Sequence, residues 1–144
     1  MTPACSLLSD ALVTDDDEVS TMTRTVRVLI VDDQEPFRSA AKMVVELTDG
    51  FEVAGEAGSG EDGVAMFNDL APDLVLMDIK MPGMDGLEAT RQIMDGDPNA
   101  RVVVLSTYEA DEFQERAIEV GAIAFISKSD FGPDALAGVW SASG

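Results

Sequence analysis

The sequence contains no histidine, so imidazole acid–base catalysis and imidazole metal ligation are excluded. It has one cysteine, Cys5, placed in a polar N-terminal stretch, and an internal disulfide is therefore impossible. Basic residues are scarce: 9 Lys and Arg stand against 28 Asp and Glu, for a net charge of −19. Affinity for nucleic acid comes largely from Lys and Arg on phosphates, so this composition argues against nucleic-acid binding and equally against anionic membrane surfaces. No apolar run approaches the roughly 18 residues of a membrane-spanning helix. The N-terminus also lacks the basic region and long apolar core of a signal peptide. The expectation is a cytoplasmic protein. What remains is ordinary globular composition, 46% hydrophobic and 26% charged over 144 residues, which suits one domain.

The first 24 residues carry small and polar side chains and the acidic run Asp15-Asp16-Asp17-Glu18. They read as a disordered acidic tail, with a short helix over Ser6 to Val13 as an option and Met22 as an alternative start. The domain is expected to occupy residues 25–144. From Val26 the pattern alternates strand and helix. Val26 to Val31 is nearly all apolar, as a strand buried on both faces should be. Pro36 opens a helix, where its missing N–H costs nothing, and Phe37, Ala40, Ala41, Val44, Val45 and Leu47 recur at helical spacing. Phe51 to Ala57 alternates like an edge strand. Ser59 is placed to cap a helix ending near Leu70, with Asp62 in a capping-box-like position. Leu74 to Met77 is a four-residue apolar strand. Gly86 to Met94 is helical, Val102 to Leu105 a strand, and Asp111 to Val120 a helix stopped by Gly121. Ala124 to Ile126 is a short strand, and Pro133 starts a last helix with Leu136, Val139 and Trp140. Five strands alternating with five helices predict an α/β fold, a flavodoxin-like (βα)5 doubly wound parallel sheet of order 2-1-3-4-5.

Polar residues follow four of the five strands: Asp32 and Asp33, Asp78, Ser106, and Lys128. Each has a bland reading. Asp32 or Asp33 could cap the first helix, Ser106 could be a turn hydroxyl, and Lys128 could be solvated. The order 2-1-3-4-5 instead brings all of them to one rim, at the topological switch point where open α/β sheets bind ligands. Three adjacent carboxylates repel, by about 4 kcal/mol per pair at 4 Å and an effective dielectric near 20. A divalent cation relieves this, and oxygen-only ligands suit Mg²⁺, which favours a substrate phosphate as a further ligand. A carboxylate, a metal, a lysine and a hydroxyl can together transfer a phosphoryl group to Asp78.

Four segments carry a specific resemblance: Val28-Leu29-Ile30-Val31-Asp32-Asp33; Met77-Asp78-Ile79-Lys80-Met81-Pro82-Gly83-Met84-Asp85-Gly86; Leu105-Ser106-Thr107; and Phe125-Ile126-Ser127-Lys128. With them, Val26 to Trp140 resembles the receiver domain of two-component response regulators, and the stretch Met84-Asp85-Gly86-Leu87-Glu88-Ala89-Thr90 is most similar to the NarL/FixJ-like subgroup. The resemblance implies Asp78 as phosphoacceptor, Asp33 as a direct Mg²⁺ ligand and Asp32 as holder of metal-bound water. It implies the backbone carbonyl of Lys80 as a further ligand, and Ser106 and Lys128 as partners of the phosphoryl oxygens. Phe125 stands at the position of the family's rotating switch aromatic; its bland alternative is a fixed core ring. Tyr108 and Lys80 would flank the route of an attacking water and slow self-dephosphorylation. One departure is Ser129, where many receivers have proline after the lysine.

The resemblance implies a sensor histidine kinase as phosphodonor and a downstream protein, or a second copy in a dimer, read through the fourth helix, fifth strand and last helix. The expectation is a stand-alone regulator; the alternative is the receiver fragment of a longer DNA-binding transcription regulator. A phosphohydrolase with an aspartate nucleophile is disfavoured, because haloacid-dehalogenase-like enzymes carry a second Asp two residues on, where this chain has Lys80. A receiver that cannot be phosphorylated is disfavoured by the complete set of site residues.

Overall fold

The computed structural model describes residues 25–107 and 111–143. The acidic N-terminal stretch and Tyr108 lie outside the described residues. Among the latter, five strands form one parallel sheet: β1 Val26–Val31, β2 Phe51–Ala57, β3 Leu74–Asp78, β4 Val102–Ser106 and β5 Ala124–Ser127, in the order β2-β1-β3-β4-β5. The helices are α1 Glu35–Leu47, α2 Gly60–Leu70, α3 Gly86–Gly96, α4 Asp111–Glu119 and α5 Pro133–Ser143, with a short 3₁₀ turn at Lys128–Asp130. β2 is an edge strand, as its alternation predicts, and its register on β1 shifts between Val28 and Leu29.

Side chains alternate across each strand, so the sheet has two apolar faces. Val28, Ile30, Leu74, Leu76, Val103 and Leu105 pack with Ala41 and Val45 of α1 and Leu136 of α5. Leu29, Val31, Val75, Met77, Val102 and Val104 pack with Phe67 of α2, Leu87 and Ile93 of α3 and Ala117 of α4. Each face hides a full strand surface, which is why the central strands read as unbroken apolar runs.

The local signals mostly hold. Ser59 caps α2, its hydroxyl accepting from the Asp62 N–H at 3.1 Å. Gly121, at φ +107°, ends α4 in a conformation that only glycine adopts readily. Two of the residues expected on the inner side of α1 differ: Ala40 is exposed and Leu47 is 68% exposed. With Ala41 and Val45 facing the sheet, Leu47 lies two residues on, about 200° around the helix, and faces outward. The strands also run one residue further than expected, so that Asp78, Ser106 and Ser127 are the last residues of β3, β4 and β5. Backbone pairing therefore holds these polar residues within the sheet itself.

Candidate functional site at the carboxyl edge of the sheet

The chain leaves β1 at Asp32 and β3 at Asp78, adjacent strands whose ends lie side by side. Asp32 is 1% exposed and Asp78 6%, while Asp33 is open to solvent. Asp32, Asp33 and Asp78 each offer a carboxylate oxygen within 4.8 Å of the other two. Lys128, just past β5, reaches across this edge with a side chain only 8% exposed: its Nζ lies 2.7 Å from Asp32 Oδ2 and 3.3 Å from Asp78 Oδ1. Sequence pattern predicts this convergence, and the structure brings these four together.

Neither Asp32 nor Asp33 caps α1. The N-cap position is Gln34, whose side chain makes no capping bond. Asp32 instead accepts the Gln34 backbone N–H on Oδ1 at 2.8 Å, and its carbonyl accepts Arg38 Nη1 at 2.7 Å. The first turn of α1 thus fixes Asp32 from two sides. Gly86, at the start of α3, donates its N–H to the Ile79 carbonyl at 2.8 Å and closes the loop after Asp78. Asp85 caps α3, accepting the Glu88 N–H at 2.8 Å.

Burial pushes the Asp78 carboxyl up to about 6; the charge on Asp32 adds to the rise, and Lys128 opposes it. Two buried carboxylates beside one ammonium leave a surplus of negative charge. Asp32 Oδ2 is buried and pairs with the Lys128 ammonium at 2.7 Å. A cluster of hard oxygen donors whose charge one ammonium does not balance fits a divalent cation. The acidic pocket thus has the all-oxygen donor set that suits Mg²⁺.

Ser106 is buried and follows Leu105, the register partner of Asp78. It pairs in register with Ser127. By alternation it leaves β4 on the face of Val102 and Val104, the side covered by α2, α3 and α4. Phe125 does not stand at the rim: it lies inside β5 opposite Val104, half-buried against that same face with Phe113 and Val120. Lys80 extends its ammonium over the Phe113 ring, 5.3 Å from the centroid. The Lys128–Ser129 bond opens the 3₁₀ turn, which Ser127 caps by accepting the Ser129 N–H at 3.4 Å.

Sequence reasoning missed Arg38, Gln34 and a second role for Phe37, whose ring lies 4.3 Å from Lys128 Nζ. Phe37 was legible only as one member of an apolar helix stripe. Nothing in its spacing marks a contact with a residue so distant in the chain.

A doubly wound sheet with three carboxylates and a lysine gathered at its switch point defines a receiver-type signalling domain. Residues 28–138 match the response regulator receiver domain family, and the chain belongs to it. Response regulator GacA of Pseudomonas viridiflava is 41% identical over 103 residues, which cover 72% of this chain and 48% of that one. Chemotaxis protein CheY of Thermotoga maritima is 44% identical over 102 residues, covering 71% of this chain and 84% of CheY. Among solved structures, the complex of CheX and CheY with BeF3 and Mg²⁺ from Borrelia burgdorferi matches at a TM-score of 0.75 and 28% identity, over 85% of this chain and 92% of that one. The chain spans about half the length of the GacA proteins it matches. No helix among the described residues is long and apolar enough to cross a membrane.

Proposed function

We propose that this protein is a phosphorylation-controlled switch in which Asp78 accepts a phosphoryl group from a sensor histidine kinase. The observation that carries the reading is the convergence of Asp32, Asp33 and Asp78 within 4.8 Å, with Lys128 reaching both buried carboxylates. Asp32, Asp33 and Asp78, with the Lys80 carbonyl, would hold Mg²⁺, the ion present with CheY in the Borrelia burgdorferi complex. When bound, such an ion neutralises charge on the incoming phosphoryl oxygens. An Asp78 carboxylate oxygen attacks phosphorus, the bond from phosphorus to the donor breaks with its electron pair leaving on the donor, and an acyl phosphate remains on Asp78. Lys128 pairs with a phosphoryl oxygen and Ser106 donates a hydrogen bond to another. No histidine is available as a general base, and an ionised carboxylate needs none.

The output is a changed binding surface rather than turnover. Ser106 and Phe125 leave β4 and β5 on the same side of the sheet. A shift of Ser106 toward the new phosphoryl group therefore opens space beside Phe125, at the face formed by α4, β5 and α5. A downstream protein or a second copy of the chain would read that face. Residues 25–144 make up the receiver, and the acidic segment before them is an appendage to it.

Incubation with acetyl phosphate and Mg²⁺, followed by intact mass spectrometry, tests the reading. The expected result is one phosphoryl group on the wild-type chain and none on Asp78→Asn. Full labelling of Asp78→Asn overturns the assignment of Asp78. Sustained consumption of acetyl phosphate without mass gain overturns the switch in favour of an enzyme.

A further inference from the structure

The first turn of α1 meets the site through three successive contacts. The Gln34 N–H binds Asp32 Oδ1, Arg38 Nη1 binds the Asp32 carbonyl, and between them Phe37 turns its ring toward Lys128. The Lys128 side chain is only 8% exposed. Its neighbours are Asp32 Oδ2 at 2.7 Å, Asp78 Oδ1 at 3.3 Å and the Phe37 ring centroid at 4.3 Å. An ammonium has three N–H donors on a flexible stem and no preferred plane, so carboxylates alone leave its position soft. The negative face of an aromatic ring adds a third attraction, strengthened by desolvation, and its bulk blocks one side. The ring itself is held. Pro36 precedes it in the first turn, and Phe131 lies against it, the two rings tilted by 46° at a centroid distance of 6.5 Å. Phe131 directly follows the 3₁₀ turn that Lys128 opens.

We propose that Phe37 is a positioning residue for phosphoryl transfer, acting through Lys128: its ring face seats the ammonium beside Asp78, where it can meet a phosphoryl oxygen. This inference rests on the proposed role of Asp78. It adds that an aromatic face at position 37, and not merely apolar bulk, sets the rate at which Asp78 is phosphorylated. Phe37→Leu keeps an apolar side chain in the same half-buried niche but has no π face. Phe37→Tyr keeps the face. Phe51→Leu trims a ring that packs on Trp140 beside the start of β1, at the opposite end of the sheet from Lys128.

The test measures the rate of phosphorylation by acetyl phosphate at fixed Mg²⁺, together with thermal stability, for the wild type and these three variants. Phe37→Leu is expected to slow labelling by about five- to tenfold, the range a desolvated cation–π contact supports. Phe37→Tyr should label at close to the wild-type rate, and Phe51→Leu should lower the melting temperature with less than a twofold change in rate. In a Lys128→Ala background, itself slow, Phe37→Leu should produce no further slowing, because the ring then has no ammonium to seat. A chain weakened only in its packing would show the same Phe37→Leu penalty with or without Lys128, and that result overturns the proposal. So does an unchanged rate in Phe37→Leu. A wild-type chain that takes up no phosphoryl group, or one labelled equally well as Lys128→Ala, instead overturns the underlying reading of the site.

Discussion

Gly86 packs directly on the backbone of Asp78: a Cβ at position 86 would be driven into the Asp78 carbonyl oxygen and would lie 2.7 Å from the carbonyl carbon. Ile79 stands equally close, its Cα 2.9 Å from the same point. The start of α3 is thereby clamped to the end of β3 at the residue whose carboxylate forms the site.

Gly86→Ala should therefore fail at the backbone and not at a movable side chain. Overpacking a core typically costs 1–3 kcal/mol, and a clash with main chain belongs at the upper end, about 3 kcal/mol or more. Denaturant melts should show that loss. Gly96→Ala is the control, since a Cβ there meets nothing within 4 Å, and it should change stability by less than about 1 kcal/mol. Equal stabilities for the two variants would show that the β3–α3 junction yields without cost.

The raised Asp78 carboxyl makes a pH-dependent prediction for the metal-free protein. Its folded value, about 6, lies above the ordinary 3.8. Stability from this group is therefore fully present below the unfolded value and is lost as pH rises through about 6. Near neutral pH the ionised carboxylate therefore opposes folding. In EDTA, Asp78→Asn should melt above the wild type at pH 7.5, and the gain should shrink toward pH 4. The same variant should bind Mg²⁺ more weakly. A gain of equal size at both pH values would show that it comes from packing and not from charge.

Phe125 makes the third prediction. A phosphoryl group brings about −1.5 to −2 charges to Asp78, next to Lys128 and at the same sheet edge as Ser106. Burying a fully exposed aromatic ring stabilises by roughly 1.5–3 kcal/mol; half-buried Phe125 gains a part of that, enough to bias two states without locking one. Beryllofluoride with Mg²⁺ should shift NMR signals of Phe125 and of residues 111–120 as well as those of the site. Shifts confined to Asp32, Asp33 and Asp78 would leave Phe125 as a fixed core ring.

Much of this protein is determined by its sequence alone. Four short apolar runs and one alternating strand, separated by amphipathic helices with Gly or Pro near their ends, leave few packings other than a doubly wound parallel sheet. Right-handed crossovers then place Asp32, Asp78 and Lys128 at one edge, because each stands where its strand ends. These inferences concern period and order, which are properties of the chain read along itself. Tertiary structure decided what period cannot encode. The apolar run of β3 is visible in the sequence, but the reach of backbone pairing to Asp78 depends on β4 lying alongside. The helical stripe of α1 named Phe37 and Leu47 alike, yet one ring faces Lys128 and the other side chain faces water. That difference follows from the rotation of α1 on the sheet, fixed by Ala41 and Val45. Lys128 likewise lies nearer Asp32 than Asp78, a choice of distances among residues on three different strand ends.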